Sequence, residues 1–219
     1  AFLLAKGLIK SGLGRRIAFL LIRSFGSSTL RLAYTLVTTE LVLAPVTPSN
    51  TARGRGIMFP IIKSLCLAFD SDPEKSPRRM GSYLMLMGHN SNISTSIIFL
   101  TATAANPLVA TLGAQVIGVE ITWGTWFLAA CVPGLISLYF MPFLLYKLYP
   151  PEITHTPEAK VIAQQELDAM GPASRMELVV GGIFIVCLVL WATSSITRLP
   201  ATTVAMTGVG AMILVEALT

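Results

Sequence analysis

Residues 29–69 read TLRLAYTLVTTELVLAPVTPSNTARGRGIMFPIIKSLCLAF, two short apolar arms joined by polar residues and prolines. The first apolar arm has about sixteen usable residues, or ~24 Å of helix, which is shorter than the ~30 Å hydrocarbon core of a bilayer. Pro45 and Pro48 then break the backbone, and a second short apolar arm follows the polar letters SNTARGRG. The pattern predicts a re-entrant helical hairpin whose tip lines a cavity, because non-helical backbone at membrane depth needs protein or water beside it.

The composition of the whole chain excludes a water-soluble globule. Of 219 residues, 53% are hydrophobic and 12% are charged, whereas a soluble domain averages roughly 25% charged residues. Disorder is excluded as well, since it requires low hydrophobicity. An all-α polytopic membrane protein remains. Both ends of the chain fall inside apolar runs, so we expect a fragment of a longer protein.

The net charge of +5 comes from basic residues that flank apolar segments. Topology explains this pattern better than nucleic-acid binding, because no basic run is interleaved with aromatic residues. The three cysteines are far apart and have no metal-ligand spacing. We therefore expect the lipid bilayer as a partner and no nucleic acid.

Polar interruptions divide the rest of the chain into further segments. The letters TATAANP at 101–107 interrupt an apolar stretch, which is typical of a broken transmembrane helix. The predicted order is the end of a transmembrane helix plus an interfacial helix (1–28), the re-entrant hairpin (29–69), a broken transmembrane helix (80–118), a transmembrane helix (121–149), a cytoplasmic connector with a surface helix (150–177), and transmembrane helices at 178–195 and 202–219.

The distribution of Lys and Arg among the loops predicts the orientation. Six of them lie in 70–79 and 147–177, against one, Arg198, in the turns at 118–121 and 196–201. Basic loops face the cytoplasm. Both ends of the hairpin lie on that same side, so the hairpin is predicted to enter the membrane from the cytoplasm.

Three short polar residues, Ser49, Asn50 and Thr51, begin the second arm of the hairpin. Their hydroxyl and amide groups, with the free N–H groups of the first turn, could bind a carboxylate or, through their oxygens, a small cation. An ordinary helix N-cap is the alternative. The broken helix at 101–107 favours the binding site, because a re-entrant tip and a broken helix usually meet at one.

Two longer motifs resemble those of a known family. APVTPSNTARGRGIMFPIIKSL and ISTSIIFLTATAANPLVATL are similar to the divalent anion:sodium symporter family, in the branch of citrate or tartrate:succinate antiporters and plastid 2-oxoglutarate/malate translocators. The resemblance implies two inverted repeats, each with a re-entrant hairpin that carries an SNT motif and a broken helix that faces it. The chain matches the first repeat from its fourth span onward and the first helices of the second.

The resemblance also implies a function and a site. Ser49, Asn50 and Thr51 would contact a carboxylate of the substrate, and Thr101, Thr103, Asn106 and Pro107 would complete this half of the site. The implied activity is exchange of di- or tricarboxylates by alternating access, without a catalytic residue, in a bacterial inner membrane or a plastid inner envelope. The full-length protein is expected to be a homodimer.

Other functions stay open at this point. A sodium ion at Ser49 and Asn50 would make the protein a sodium-coupled symporter, although the resembled branch works by antiport; no other cofactor is expected. An anion channel would keep a continuous polar path, which the proline-broken hairpin disfavours. A membrane scaffold would not need polar residues at a re-entrant tip.

Charged and polar residues near the tip have two interpretations. Arg53 could neutralise a second carboxylate, or it could stabilise the hairpin by pairing with Glu40. Arg55 is the other candidate for the second carboxylate. The run from His89 through Asn90 and Ser91 to Asn92 has one histidine and no second ligand at helical spacing, so it predicts hydrogen bonding between helices rather than a metal site.

Overall fold

The computed structural model describes residues 2–218, which form helices joined by loops and turns. Ala1 and Thr219, at the ends of the first and last predicted segments, lie outside the described residues. The helices are α1 (Phe2–Ser11), α2 (Leu13–Phe25), α3 (Thr29–Leu43), α4 (Asn50–Arg53), α5 (Phe59–Ala68), α6 (Gly81–Ile98), α7 (Ala105–Ile117), α8 (Trp123–Leu148), α9 (Glu158–Met170), α10 (Arg175–Ala192), α11 (Ser194–Thr197) and α12 (Ala201–Leu214).

The two arms of the 29–69 segment form a helical hairpin. Its first arm is α3, whose 15 residues give ~22 Å of helix. The second arm begins at Asn50, so all of the SNTARGRG letters except the N-cap Ser49 are helical. A π-helical turn at Gly54–Met58 connects α4 to α5. This wide turn places the N–H of Phe59 on the carbonyl of Gly54. It accommodates Pro60, which has no N–H and crowds the carbonyl four residues before it.

Both ends of the hairpin meet the same connector. At the start of α3, the N–H of Thr29 donates to Thr154 O over 3.1 Å. After α5, the loop 70–79 contacts the same stretch. The N–H of Glu152 donates to Arg78 O at 3.1 Å, and the N–H of Ile153 donates to Arg79 O at 2.9 Å. The chain therefore leaves and returns at one end of the molecule, where the two basic loops also lie.

The break in the next segment lies a few residues earlier than predicted. Helix α6 ends at Ile98, and α7 begins at Ala105, so Asn106 and Pro107 belong to the first turn of α7. Proline is tolerated there because the first N–H groups of a helix have no partner within it. The break is thus Phe99–Ala104, packed against α8.

Helices α8 and α10 are the two described helices that are long and apolar enough to cross a membrane. Large apolar side chains at four-residue spacing on α8 face outward, as expected of a lipid-facing stripe: Leu128, Val132, Ile136 and Phe140. Helix α10 begins at Arg175, earlier than the predicted 178, because Ser174 and Glu177 form a capping box. Helix α12 has 14 residues, or ~21 Å, which is shorter than the span predicted at 202–219.

A pair of polar-faced helices packs at the end of the molecule that holds the connector. The bend at Gly12, with φ of 80°, separates α1 from α2. Helix α2 then packs along α9, and Arg16 joins it to α10 through a pair of hydrogen bonds to Glu177, at 2.6 and 3.0 Å. Arg16 also donates to Gly171 O at 2.9 Å. These contacts fix the connector against the amino-terminal helices.

Candidate functional site

A buried ion pair lies directly behind the tip of the hairpin. Nε of Arg53 donates to Oε1 of Glu40 over 2.6 Å, and both side chains are fully buried. The same guanidinium donates through Nη1 to Thr47 O at 3.1 Å and to Ala102 O at 3.4 Å. These two carbonyls belong to the hairpin joint and to the helix break. Arg53 therefore connects the two non-helical stretches and satisfies backbone that has no helical partner.

Helix α6 supplies the rest of this network. Nη2 of Arg53 donates to Thr95 Oγ1 and Ser96 Oγ, each at 3.2 Å. Nδ2 of Asn92 donates to Oε1 of Glu40 at 2.6 Å and to Asn50 O at 3.1 Å. Asn92 thus holds the first residue of α4 and the buried carboxylate together, which makes it part of the tip rather than an ordinary contact between helices.

The SNT triplet caps the second arm and presents donors to solvent. Ser49 Oγ accepts from the N–H of Ala52 at 3.3 Å, as an N-cap does. Oδ1 of Asn50 accepts from the N–H of Thr51 at 2.9 Å. Within the described residues, Nδ2 of Asn50 and the hydroxyl of Thr51 have no hydrogen-bond partner. Ser49 therefore fills the capping role that the sequence left as the alternative, whereas Asn50 and Thr51 keep free donors.

Thr101 in the helix break and Asn106 in the first turn of α7 use their side chains within the protein. Thr101 Oγ1 donates to Pro45 O at 3.0 Å and accepts from Nε1 of Trp123 at 3.2 Å. Nδ2 of Asn106 donates to Ser96 O at 2.7 Å and to Phe99 O at 3.0 Å, which closes the carboxyl end of α6. These bonds join α8, the break and the hairpin joint into one unit.

A cavity of about 320 Å³ lies between the second arm of the hairpin and α6. We call it the tip cavity. None of the described residues that line it is acidic, and its polar side chains carry donors. Its lining residues are Asn50, Thr51, Gly54, Arg55, Met58, Phe59, Ile62, Met85, Gly88, His89 and Asn92.

The comparisons with known proteins identify the family. The model of the sodium:sulfate symporter transmembrane region matches residues 1–219. The chain belongs to this family. The relatives of the chain in this family are transporters rather than enzymes. Membership of a transmembrane family confirms the prediction of an integral membrane protein.

Three relatives illustrate the branch of this symporter family. The putative malate transporter YflS of Bacillus subtilis is 46% identical over 220 residues, which is 100% of the chain and 46% of the relative. The chloroplastic dicarboxylate transporter 1 of Arabidopsis thaliana is 43% identical over 100% of the chain and 40% of the relative. The L-tartrate/succinate antiporter of Escherichia coli is 43% identical over 87% of the chain and 39% of the relative. The chain spans less than half the length of these relatives.

The structure brings only part of the residues predicted for the substrate site into the tip cavity. Asn50 and Thr51 line it, whereas Arg53 is buried behind it in the pair with Glu40. The lining does not include the other predicted residues, which are Ser49, Thr101, Thr103, Asn106 and Pro107.

Sequence reasoning missed His89 and Asn92 as cavity residues. They lie three positions apart on α6, and Met85 and Gly88 line the cavity from the same helix. Their spacing places them on one helical face, which is a signal that the sequence contains. What the sequence does not contain is which neighbour that face meets. Among the described residues, no group of three or more His, Cys, Asp and Glu side chains could hold a metal ion.

Proposed function

We propose that the carrier containing this chain exchanges dicarboxylates, or tricarboxylates, across a membrane by alternating access. The observation that carries the proposal is the tip cavity. It offers the free donors of Asn50 and Thr51 and the side chains of Arg55 and His89, and no acid among its lining residues competes for them. Such an arrangement suits a carboxylate, which is an acceptor only.

We propose further that the helical hairpin is re-entrant and carries the site to membrane depth. Helix α3 is shorter than a span, and the two ends of the hairpin contact the same connector through Thr29 and Arg78. The charges of Arg53 and Glu40 neutralise each other, and Arg53 donates hydrogen bonds to the carbonyls of Thr47 and Ala102. These features meet the requirement that irregular backbone in the hydrocarbon region be bonded internally.

The hydrogen bonds to the oxygen atoms around the hairpin tip favour exchange without sodium. Two carbonyls that could coordinate a cation, those of Thr47 and Ala102, already accept from the guanidinium of Arg53. Asn50 O and Asn50 Oδ1 accept from Asn92 and from the N–H of Thr51. Each of these oxygens already has a donor, which leaves it fewer lone pairs for a sodium ion.

A sodium-coupled dicarboxylate symporter is the second candidate. The description of the matching family, a sodium:sulfate symporter region, favours it. A carrier of this second kind would have its ion site outside the oxygens that Arg53 and Asn92 occupy. The two candidates differ in one measurable property, the sodium dependence of uptake.

Counterflow in proteoliposomes tests the proposed function. The complete carrier is loaded with unlabelled malate, and entry of labelled malate, succinate or 2-oxoglutarate is followed with sodium and with potassium outside. We expect uptake that requires internal dicarboxylate and is equal in both salts. Uptake that requires sodium would establish the symporter. Uptake without internal dicarboxylate and without saturation would indicate a channel.

A further inference from the structure

Two arginines separated by one residue have different surroundings. Arg53 is fully buried, and its guanidinium nitrogens donate to Glu40 and to four further oxygens. Arg55 is exposed and lines the tip cavity. Within the described part of the chain, Arg55 has no hydrogen bond, ion pair or ring contact. The cation that faces the cavity is therefore Arg55, whereas Arg53 is committed to the interior.

The position of Arg55 relative to the tip suits a ligand with two anionic ends. Arg55 lies four residues after Thr51 along the second arm, and four helical residues rise about 6 Å. Both residues line the same cavity, and His89 and Asn92 line it from α6. Apolar side chains, those of Met58, Ile62 and Met85, line the rest of the opening. A short dicarboxylate has this same pattern of two polar ends and an apolar middle.

We propose that Arg55 binds the second carboxylate of the substrate, while Asn50 and Thr51 bind the first and His89 faces the ligand from α6. This inference rests on the proposed function and adds the residue that selects dicarboxylates over monocarboxylates. The guanidinium matches a carboxylate with two parallel hydrogen bonds. A monocarboxylate leaves Arg55 unused, so the loss of Arg55 affects the two ligand classes differently.

The experiment compares two inhibitors of labelled malate counterflow in the complete carrier. Succinate has two carboxylates, and butyrate has the same chain length with one. In Arg55→Gln we expect the inhibition constant of succinate to rise ten- to a hundredfold, or about 1.4–2.8 kcal/mol, while that of butyrate changes by less than about threefold. Arg55→Lys keeps the charge without the paired donors and should lie between the parent and Arg55→Gln.

Lys63→Gln is the matched control, because it removes one positive charge from an exposed position on the same arm outside the tip cavity. It should change neither inhibition constant. An equal rise for succinate and butyrate in Arg55→Gln, or no rise in either, would overturn the assignment. Elution of each variant as the same monodisperse species as the parent shows that it is folded.

Three further outcomes distinguish the role of Arg55 from the proposed function and from lipid binding. A parent carrier that shows no dicarboxylate counterflow would overturn the proposed function, and the role of Arg55 with it. Counterflow in the parent together with an unchanged Arg55→Gln would overturn only the role of Arg55. The whole comparison is made in phosphatidylcholine vesicles and repeated with phosphatidylglycerol. An effect of Arg55→Gln confined to the anionic vesicles would assign Arg55 to a lipid phosphate instead.

Discussion

Nε of Arg53 donates to Oε1 of Glu40 over 2.6 Å, and neither side chain is exposed to solvent. The pair joins the two arms of the hairpin, and its two members are thirteen positions apart in the chain. Oε2 of the same glutamate has no hydrogen-bond partner within the described residues. The members of this ion pair are costly to separate, because each charge is buried.

Removing one member of this pair should destabilise the protein more than removing both. We expect Arg53→Gln or Glu40→Gln alone to cost about 3–5 kcal/mol, because each leaves an uncompensated buried charge. The double variant removes both charges and should recover part of that loss. Thermal unfolding of the purified variants in detergent measures the difference. If the two single losses simply add in the double variant, the pair is not coupled.

The loop 70–79 should lose order in acid. The N–H groups of Lys75 and Glu74 donate to the carboxylate of Asp72, each at 2.9 Å, and these bonds hold the pKa of Asp72 below its ordinary value. Because the pKa is lowered in the folded protein, the carboxylate stabilises the loop at pH values above the ordinary pKa of an aspartate. That stabilisation is lost as the pH falls through the folded pKa.

Hydrogen exchange at the amides of Glu74 and Lys75 measures this effect, expressed as protection relative to the unfolded chain. We expect protection at neutral pH and a decline toward acid. Asp72→Asn keeps an oxygen acceptor but does not titrate, so its protection should not vary with pH. Equal pH dependence in both proteins would show that Asp72 does not organise the loop.

The contacts between the loop and the connector predict a labelling pattern. The carbonyl of Arg78 accepts from the N–H of Glu152, so the two basic stretches lie together. Single cysteines in 70–79 and 150–157 should label from one side of the membrane, and cysteines in 119–121 and 197–200 from the other. A hairpin tip at 48–52 that labels in every state only from the side opposite 70–79 would show that α3 crosses the membrane fully.

The sequence predicts the outline of the hairpin because its signals are local. Pro45 and Pro48 interrupt one arm, and Ser49 precedes the next as an N-cap. The sequence shows the apolar part of the second arm only after the letters SNTARGRG, whereas the structure continues helically from Asn50 through the π-helical turn at Gly54–Met58. Two glycines and Pro60 disfavour a helix at this point, and tertiary contacts override that local preference.

The division of roles between Arg53 and Arg55 depends on contacts far apart in the chain. The sequence offers both as candidates, and nothing in their spacing tells which one meets Glu40. The contact of Asn92 with Asn50 O joins residues 42 positions apart. Such contacts depend on how α6 packs on the hairpin, and this packing cannot be predicted from either segment alone. Asn90, by contrast, bonds within the described residues only to Leu86 O on its own helix.

The apparent malate affinity of Asn50→Asp in the complete carrier tests whether the tip of the hairpin binds the substrate carboxylate. The variant places a negative charge next to the substrate, which costs about 4 kcal/mol for charges 4 Å apart at an effective dielectric near 20. Apparent affinity should fall by two orders of magnitude or more. Asn90→Asp adds the same charge outside the tip cavity and should leave the affinity nearly unchanged. If Asn50→Asp exchanges malate with near-parental affinity, the substrate does not bind at the tip of this hairpin.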